Sequence, residues 1–507
     1  MKPLTTKCTR HFKAWAAQTV VGLYVAFGIA WGSTHADATE QDLPSDSRLT
    51  VAEDPSGRIA TFKVDGPIDH SNPFFQILGS NGRSCSTCHI AAQAMSFTPE
   101  HAQRLYRQTH GTDPLFASVD GANCDTVEPS DRAGHSLLLQ KGLIRIALPV
   151  PLNAEYSISA VNDPYGCALR IDPKTNVLTA SVYRRPLPSA NLSFVSAVMF
   201  DGRETVAPLA TGATLASNLR ADLSHQVIDA TTGHAQAAIP PTAALVNSIV
   251  DFELALFTAQ YRDDDAGALD AGGALGGPVN LAVQAYYPGI NDSLGHDPSG
   301  LAFTAASMTL FAAWEAAGGD EDTAAARADI AAGETLFNSA PMTISNVRGL
   351  NDNPALGRPT SLAGTCATCH DAPNIGNHSL PLPLDIGTSH VATSSLEGDP
   401  AIAAALNELT PANLPLFLIS GCPQPFTAGA PASFYTTDPG RALITGRCSD
   451  FNRLKGPVLR GLAARAPYFH NGSAANLTEA VNFYNHRFQM GLTDGQIRQL
   501  VAFLNTL

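Results

Sequence analysis

Basic charge is scarce in this chain, and so are long apolar runs. The 507 residues carry 31 Lys and Arg against 45 Asp and Glu, a net charge of −14. That balance repels phosphate backbones and argues against a nucleic-acid partner. Only one apolar run approaches spanning length, "AWAAQTVVGLYVAFGIAW" at 14 to 31. Lys2, Lys7, Arg10 and Lys13 precede it, Gln18 and Thr19 interrupt it, and the small residues of "THA" come just before Asp37. The pattern reads as a secretory signal, residues 1–36, cleaved near Ala36, and it predicts an exported, periplasmic protein. An uncleaved anchor is the rival reading of the same run. The signal holds four cations and no acid, so cleavage leaves 27 Lys and Arg against 45 Asp and Glu, a net of about −18. Such a surface attracts a small basic electron carrier, although ordinary solubility explains it equally well. Internal repeats are also missing, apart from two short motifs.

Cysteine is sparse too, and its placement is informative. Apart from Cys8 in the signal there are eight, and four of them form "CSTCH" (Cys85, Cys88, His89) and "CATCH" (Cys366, Cys369, His370). Chance supplies about 0.005 CxxCH motifs per chain of this composition. On a helical turn, positions i, i+3 and i+4 share a face. Both thiols can then form thioethers with the vinyl groups of one haem while the imidazole reaches its iron. A zinc ribbon does not need His directly after each second Cys, and redox CxxC pairs favour other flanks. The motifs therefore predict two covalently bound c-type haems. The other four cysteines, Cys124, Cys167, Cys422 and Cys448, form an even set in an exported chain. They read most simply as disulfides Cys124–Cys167 and Cys422–Cys448, with two other pairings open.

The expected fold class is mainly α: two cytochrome c-like haem domains with irregular or short-strand insertions. The division is 37–265 for the N-terminal haem domain, 266–300 for a linker rich in Gly, Asp and Ala, and 301–507 for the C-terminal haem domain. Asp263, Asp264 and Asp265 at the linker's edge suit a solvated turn better than a calcium site. "SNPFFQILGSNG" offers Asn72 as cap and Pro73 at the first helical position, with Phe74, Phe75 and Leu78 facing inward. "LTDGQIRQLVAFLNTL" starts with a Thr493/Gln496 capping box and lines up Ile497, Leu500, Val501 and Leu504. Alternation between 140 and 200 predicts short strands or irregular loops.

"LKGPVLRGLAARAPYFHNGSAANLTEAVNFYN" (454 to 485) resembles the bacterial di-haem cytochrome c peroxidase family, which includes the MauG-like enzymes. The resemblance rests on Lys455, Pro457, Leu459 and Arg460, then Ala466 to Gly472, then Leu477 to Val481, and also on "VMFDGRE" (198 to 204). It implies that peroxide or oxygen reacts at the N-terminal haem, with His89 as proximal ligand. Electrons from a small donor protein, cytochrome c-like or a cupredoxin, enter at the C-terminal haem, with His370 as proximal ligand. Tyr484 matches the family's distal ligand of that second haem, and Asn476 with Glu479 caps its helix so that Leu477, Val481 and Tyr484 share one face. Met490 and His486 are the alternatives. Calcium between the domains also comes with the resemblance, without ligands that can be assigned here.

Three departures bear on activity. Phe200 replaces the Trp between the haems, and Trp314 is the only Trp outside the signal. Counting ten residues from Gln226 puts Gln236 where the family has its distal Glu, leaving His234 as the nearby proton carrier. His101 and His110 follow the first motif, neither in a convincing context for a capping ligand. Arg203 suits a haem propionate or a turn, His470 a structural or propionate contact, His378 a surface or interface position rather than a haem cap, and Glu253 a charged helix face rather than an alternative acid. The leading expectation is peroxide reduction. The alternatives are oxidation of an organic or protein substrate, as in MauG-like enzymes and rubber oxygenases, and non-enzymatic electron transfer.

Overall fold

A computed structural model describes residues 46–173, 175–206, 213–315, 321–373, 383–391, 400–423, 426 and 432–507. Residues 1–36, read above as a secretory signal, and His378 lie outside the described residues. No helix among the described residues is long and apolar enough to cross a membrane.

The expectation of a mainly α fold is not met: helix accounts for 33% and strand for 17% of the chain. Among the described residues, strands form four small antiparallel sheets. One sheet runs Leu49–Asp54, Gly57–Lys63, Leu256–Asp263, Gly267–Ala268. The segment "DFELALFTAQ" explains part of the discrepancy. Its first half ends the helix Ala243–Leu254, while from Leu256 it becomes a strand buried on both faces. A short apolar run of this kind fits helix and strand equally, and pairing with Gly57–Lys63 decides it. The alternating stretch 140–200 does become strands, and one of them, Ser157–Asn162, pairs with Leu416–Ser420 of the other half. Leu148, Val182, Phe417, Phe434 and Phe451 form the core beneath those sheets. Disulfides Cys124–Cys167 and Cys422–Cys448 are both present.

Two helix pairs carry further parts of the core. Ala213–Gly233 packs on Ala243–Leu254 through Leu219, Leu223, Val227, Val246, Ile249 and Val250. Glu321–Ser339 packs on Asp494–Asn505, and a Cβ at Gly333 would meet the Gln499 carbonyl oxygen at 2.0 Å, so only glycine permits that approach. The Thr493/Gln496 capping box forms as read, with Ile497, Leu500 and Leu504 buried and Val501 half-buried. Asn72 also caps as expected, but it starts a single 3-10 turn, Pro73–Phe75. The Gly- and Asp-rich stretch after 262 is packed, with Ala266, Leu269 and Ala274 buried against Trp314 and Ile330.

Candidate functional site

Both CxxCH motifs use one local device. Ser84 and Thr365 precede 3-10 turns, Cys85–Thr87 and Cys366–Thr368. Their backbone N–H groups donate to Thr87 Oγ1 at 3.1 Å and Thr368 Oγ1 at 2.9 Å. The N–H of each His then donates to the first Cys carbonyl, at 3.1 Å for His89 and 2.9 Å for His370. The expected helical turn is thus a single tight turn that brings two thiols and an imidazole together. None of these four cysteines is in a disulfide. Burial pushes the Cys88, Cys366 and Cys369 thiols up to about 12 and raises Cys85 as well. Protonated thiols are poor nucleophiles, which counts against a redox CxxC pair.

Each motif opens on its own cavity. The first, ≈ 170 Å³, is lined by Cys85, Cys88 and His89, and the second, ≈ 210 Å³, by Cys366, Cys369 and His370. One buried water needs only about 10–15 Å³ on this measure, so both spaces suit a large ligand. His89 Nδ1 donates to the Met95 carbonyl at 2.9 Å, which leaves Nε2 unprotonated, the form an imidazole needs to bind a metal. Burial also lowers the His89 pKa. The His370 ring lies 6.2 Å from that of Phe337. Apolar walls, paired thiols and an imidazole line each cavity, a set that fits a thioether-bound porphyrin.

The second cavity also brings in Tyr484 and Met490, together with Leu384, Phe488 and Leu500. The Tyr484 hydroxyl makes no hydrogen bond to any described residue, and burial, with Cys369 and Cys366 adding to it, raises its pKa. His486 lies outside this cavity, its Nδ1 3.2 Å from Glu408 Oε1 on the surface. His470 lines it as a buried imidazole, lowered to about 4 by burial and 3.7 Å from Asp438 Oδ2.

His234 also lines the first cavity. Its Nδ1 donates to Asp120 Oδ2, and Asp120 is in turn paired with Arg83. Burial pushes the Asp120 carboxyl up, but Arg83 and His234 outweigh it and hold it below its ordinary value. Arg83 also donates to the carbonyls of Pro114 at 2.7 Å and His234 at 3.1 Å, locking the loop that carries His234. Sequence reading missed Asp120 and Arg83, since nothing in "SVDGANC" marks an acid that meets His234 only through folding. Gln236 does not join them. It is exposed, in a left-handed turn at φ 56°, with its carbonyl accepting from Ser80 Oγ at 2.9 Å. Gln226 does line the cavity, whereas His101 and His110 do not. Arg203 lines it while donating to Asp201 at 3.2 Å. Glu253 is no surface charge: it is 5% exposed on the cavity wall, Oε2 has no hydrogen-bond partner, and burial raises its pKa to about 8. The Asp263–Asp265 triplet is a turn, with Asp263 Oδ1 accepting from the N–H groups of Asp265 at 3.0 Å and Ala266 at 2.8 Å.

The two cavities share a wall. Arg185, Pro186, Leu187, Phe200 and Lys455 line both. A buried ion cluster fixes that wall: Arg184 Nε and Nη2 donate to Asp438 at 2.7 and 2.9 Å, and Nη1 to Asp201 at 2.5 Å.

No protein-family model matches the chain. It is 29% identical over 151 residues to a cytochrome-c peroxidase, IdrP2, of Denitromonas iodatirespirans, covering 28% of this chain and 36% of that protein. It is 35% identical over 127 residues to the cytochrome c551 peroxidase of Nitrosomonas europaea, covering 22% of this chain and 37% of that protein. These likenesses are peroxidase-like and span little more than a third of either relative. Both relatives are named as cytochrome c peroxidases, and neither as a MauG-like enzyme.

Proposed function

We propose that this chain is an exported di-haem c-type oxidoreductase that reduces hydrogen peroxide with electrons from a small donor protein. One observation carries the reading: two separate cavities each gather both thiols and the imidazole of one CxxCH motif, while the remaining described cysteines are closed as disulfides. Cys85 and Cys88 hold one haem and Cys366 and Cys369 the other, with His89 and His370 as iron ligands. Bound there, the haems would supply redox-active iron, and the first cavity would be where a small oxidant meets it. Residues 37–265 belong to that reactive site, 266–300 join the halves, and 301–507 form the electron-entry site. Tyr484 and Met490, which line the second cavity with His370, are the residues that would serve as a further ligand to its haem.

Reducing one peroxide to two waters consumes two protons and two electrons. In this reading His234 carries the protons. With Nδ1–H held by Asp120, its Nε2 is the basic nitrogen, and Arg83 keeps Asp120 ionised and fixed. Phe200 lines the shared wall and, having no indole, would offer no oxidisable side-chain relay between the two sites. The acidic surface suits a basic cytochrome c-like or cupredoxin donor.

Mass spectrometry of the exported protein tests the foundation, with the added mass of two haems expected on a chain starting near Asp37. Stopped-flow mixing with peroxide and reduced small cytochrome tests the activity, with rapid cytochrome oxidation expected. Tyr484 and Phe200 favour a second reading, MauG-like or rubber-oxygenase-like oxidation of an organic or protein substrate. Peroxide consumed without cytochrome oxidation would favour it. A ferric spectrum that is wholly low-spin and insensitive to peroxide would leave only an electron carrier.

A further inference from the structure

Among the arginines and lysines lining the two cavities, Lys455 differs in one respect. Arg83, Arg184, Arg185, Arg203 and Arg465 each donate to carboxylates or backbone carbonyls. The Lys455 ammonium makes no hydrogen bond or ion pair with any described residue, although the residue is only 8% exposed. It stands in the shared wall and lines both cavities, its backbone N–H held by the Phe200 carbonyl at 2.6 Å. The acid that influences it, Asp201, is already engaged by Arg184 and Arg203. Burial brings its pKa down to about 8, the response of an ammonium that lacks a counter-ion. Keeping a buried cation unpaired is costly, and proteins retain one where a ligand supplies the anion.

We propose that Lys455 is a shared carboxylate clamp, its ammonium binding one propionate from the haem of each cavity and so coupling the two sites electrostatically. The proposal rests on the di-haem reading above. An ammonium has three donors and can serve two carboxylates at once. A positive charge next to both groups disfavours the oxidised, more positive iron in each.

The test is spectroelectrochemical titration of holo Lys455→Met and Lys455→Gln, with haem content first checked by mass spectrometry. Both variants remove the ammonium at similar length, one apolar and one polar, so agreement between them separates loss of charge from disturbed packing. The expected result is that both midpoint potentials fall in both variants, while Lys455→Arg keeps both near the wild-type values. Unmoved potentials, or a shift confined to one haem, with two haems bound, would overturn the clamp and leave the di-haem reading intact. A wild-type protein without two haems would overturn both.

Discussion

Replacing Glu253 with Gln should stabilise the protein, and increasingly so as pH rises. Glu253 sits near the end of the helix Ala243–Leu254 on the wall of the first cavity, 5% exposed, with Oε2 unpartnered. Burial without a cation raises its pKa from 4.5 to about 8. The unfolded chain therefore releases this proton near 4.5 while the folded chain keeps it until about 8. Between those values the native state binds more protons than the unfolded state, so stability falls as pH rises, by about 1.4 kcal/mol per pH unit. The full loss is about 5 kcal/mol above pH 8, and roughly 3 kcal/mol at pH 7. A glutamine side chain has nearly the same shape and no titration. Urea unfolding of the holoprotein, wild type and Glu253→Gln, at pH 5, 6, 7 and 8 reads the difference. The advantage of the variant should grow from under about 1 kcal/mol at pH 5 to roughly 3 kcal/mol at pH 7, at equal m-values. A protonated-carboxyl infrared band, lost in Glu253→Gln, should accompany it at pH 7. An advantage that stays constant from pH 5 to 8 would refute the reasoning, because Glu253 would then be ionised in the fold.

Other outcomes follow from the same geometry. Asp438→Asn strips one partner from buried Arg184 and should cost about 3–5 kcal/mol in chemical denaturation at pH 7. Arg184 holds the Asp438 and Asp201 carboxyls low against burial, so their contribution is present above the ordinary carboxylate range and lost as pH falls through their depressed values. The variant should accordingly lose less stability on acidification than wild type. His234→Ala should slow peroxide turnover by about 10²–10⁴-fold with haem content unchanged, and Asp120→Asn should slow it in the same direction. Gln236→Ala should leave turnover at the wild-type rate in the same stopped-flow assay. Gly333→Ala should cost about 1–3 kcal/mol in thermal or urea unfolding, since its Cβ collides with the Gln499 backbone.

The motifs were legible because their chemistry fixes residue type and spacing within five positions, and a tight turn is enough to bring Cys85, Cys88 and His89 together. The C-terminal cap at Thr493 and the face of Ile497, Leu500 and Leu504 were legible for the same local reason. What failed to show were partners set by tertiary structure. Asp120 and His234 are 114 residues apart and meet only because Arg83, two residues before the first motif, ties both loops. Gln236 misled a count along the chain, since a left-handed turn at that residue takes it outside. Glu253 was misread because a charge near a helix end usually faces water, and the sequence does not reveal that the next residues dive into a buried strand. The same junction explains part of the overstated helix content.

The shared wall shows why neither half of this chain can be understood alone. Phe200 and Asp201 come from the first half, Lys455 and Asp438 from the second, and Arg184 joins them across 254 residues of sequence. An apolar wall would tolerate small sliding, whereas a guanidinium satisfied by two carboxylates has one geometry and a high cost for leaving it. That rigidity holds Phe200 at a fixed place between the two cavities. It also explains the division of labour among the wall's described cations: Arg184 uses its donors to fix the protein, which leaves Lys455 as a positive charge still able to meet an anion from either side.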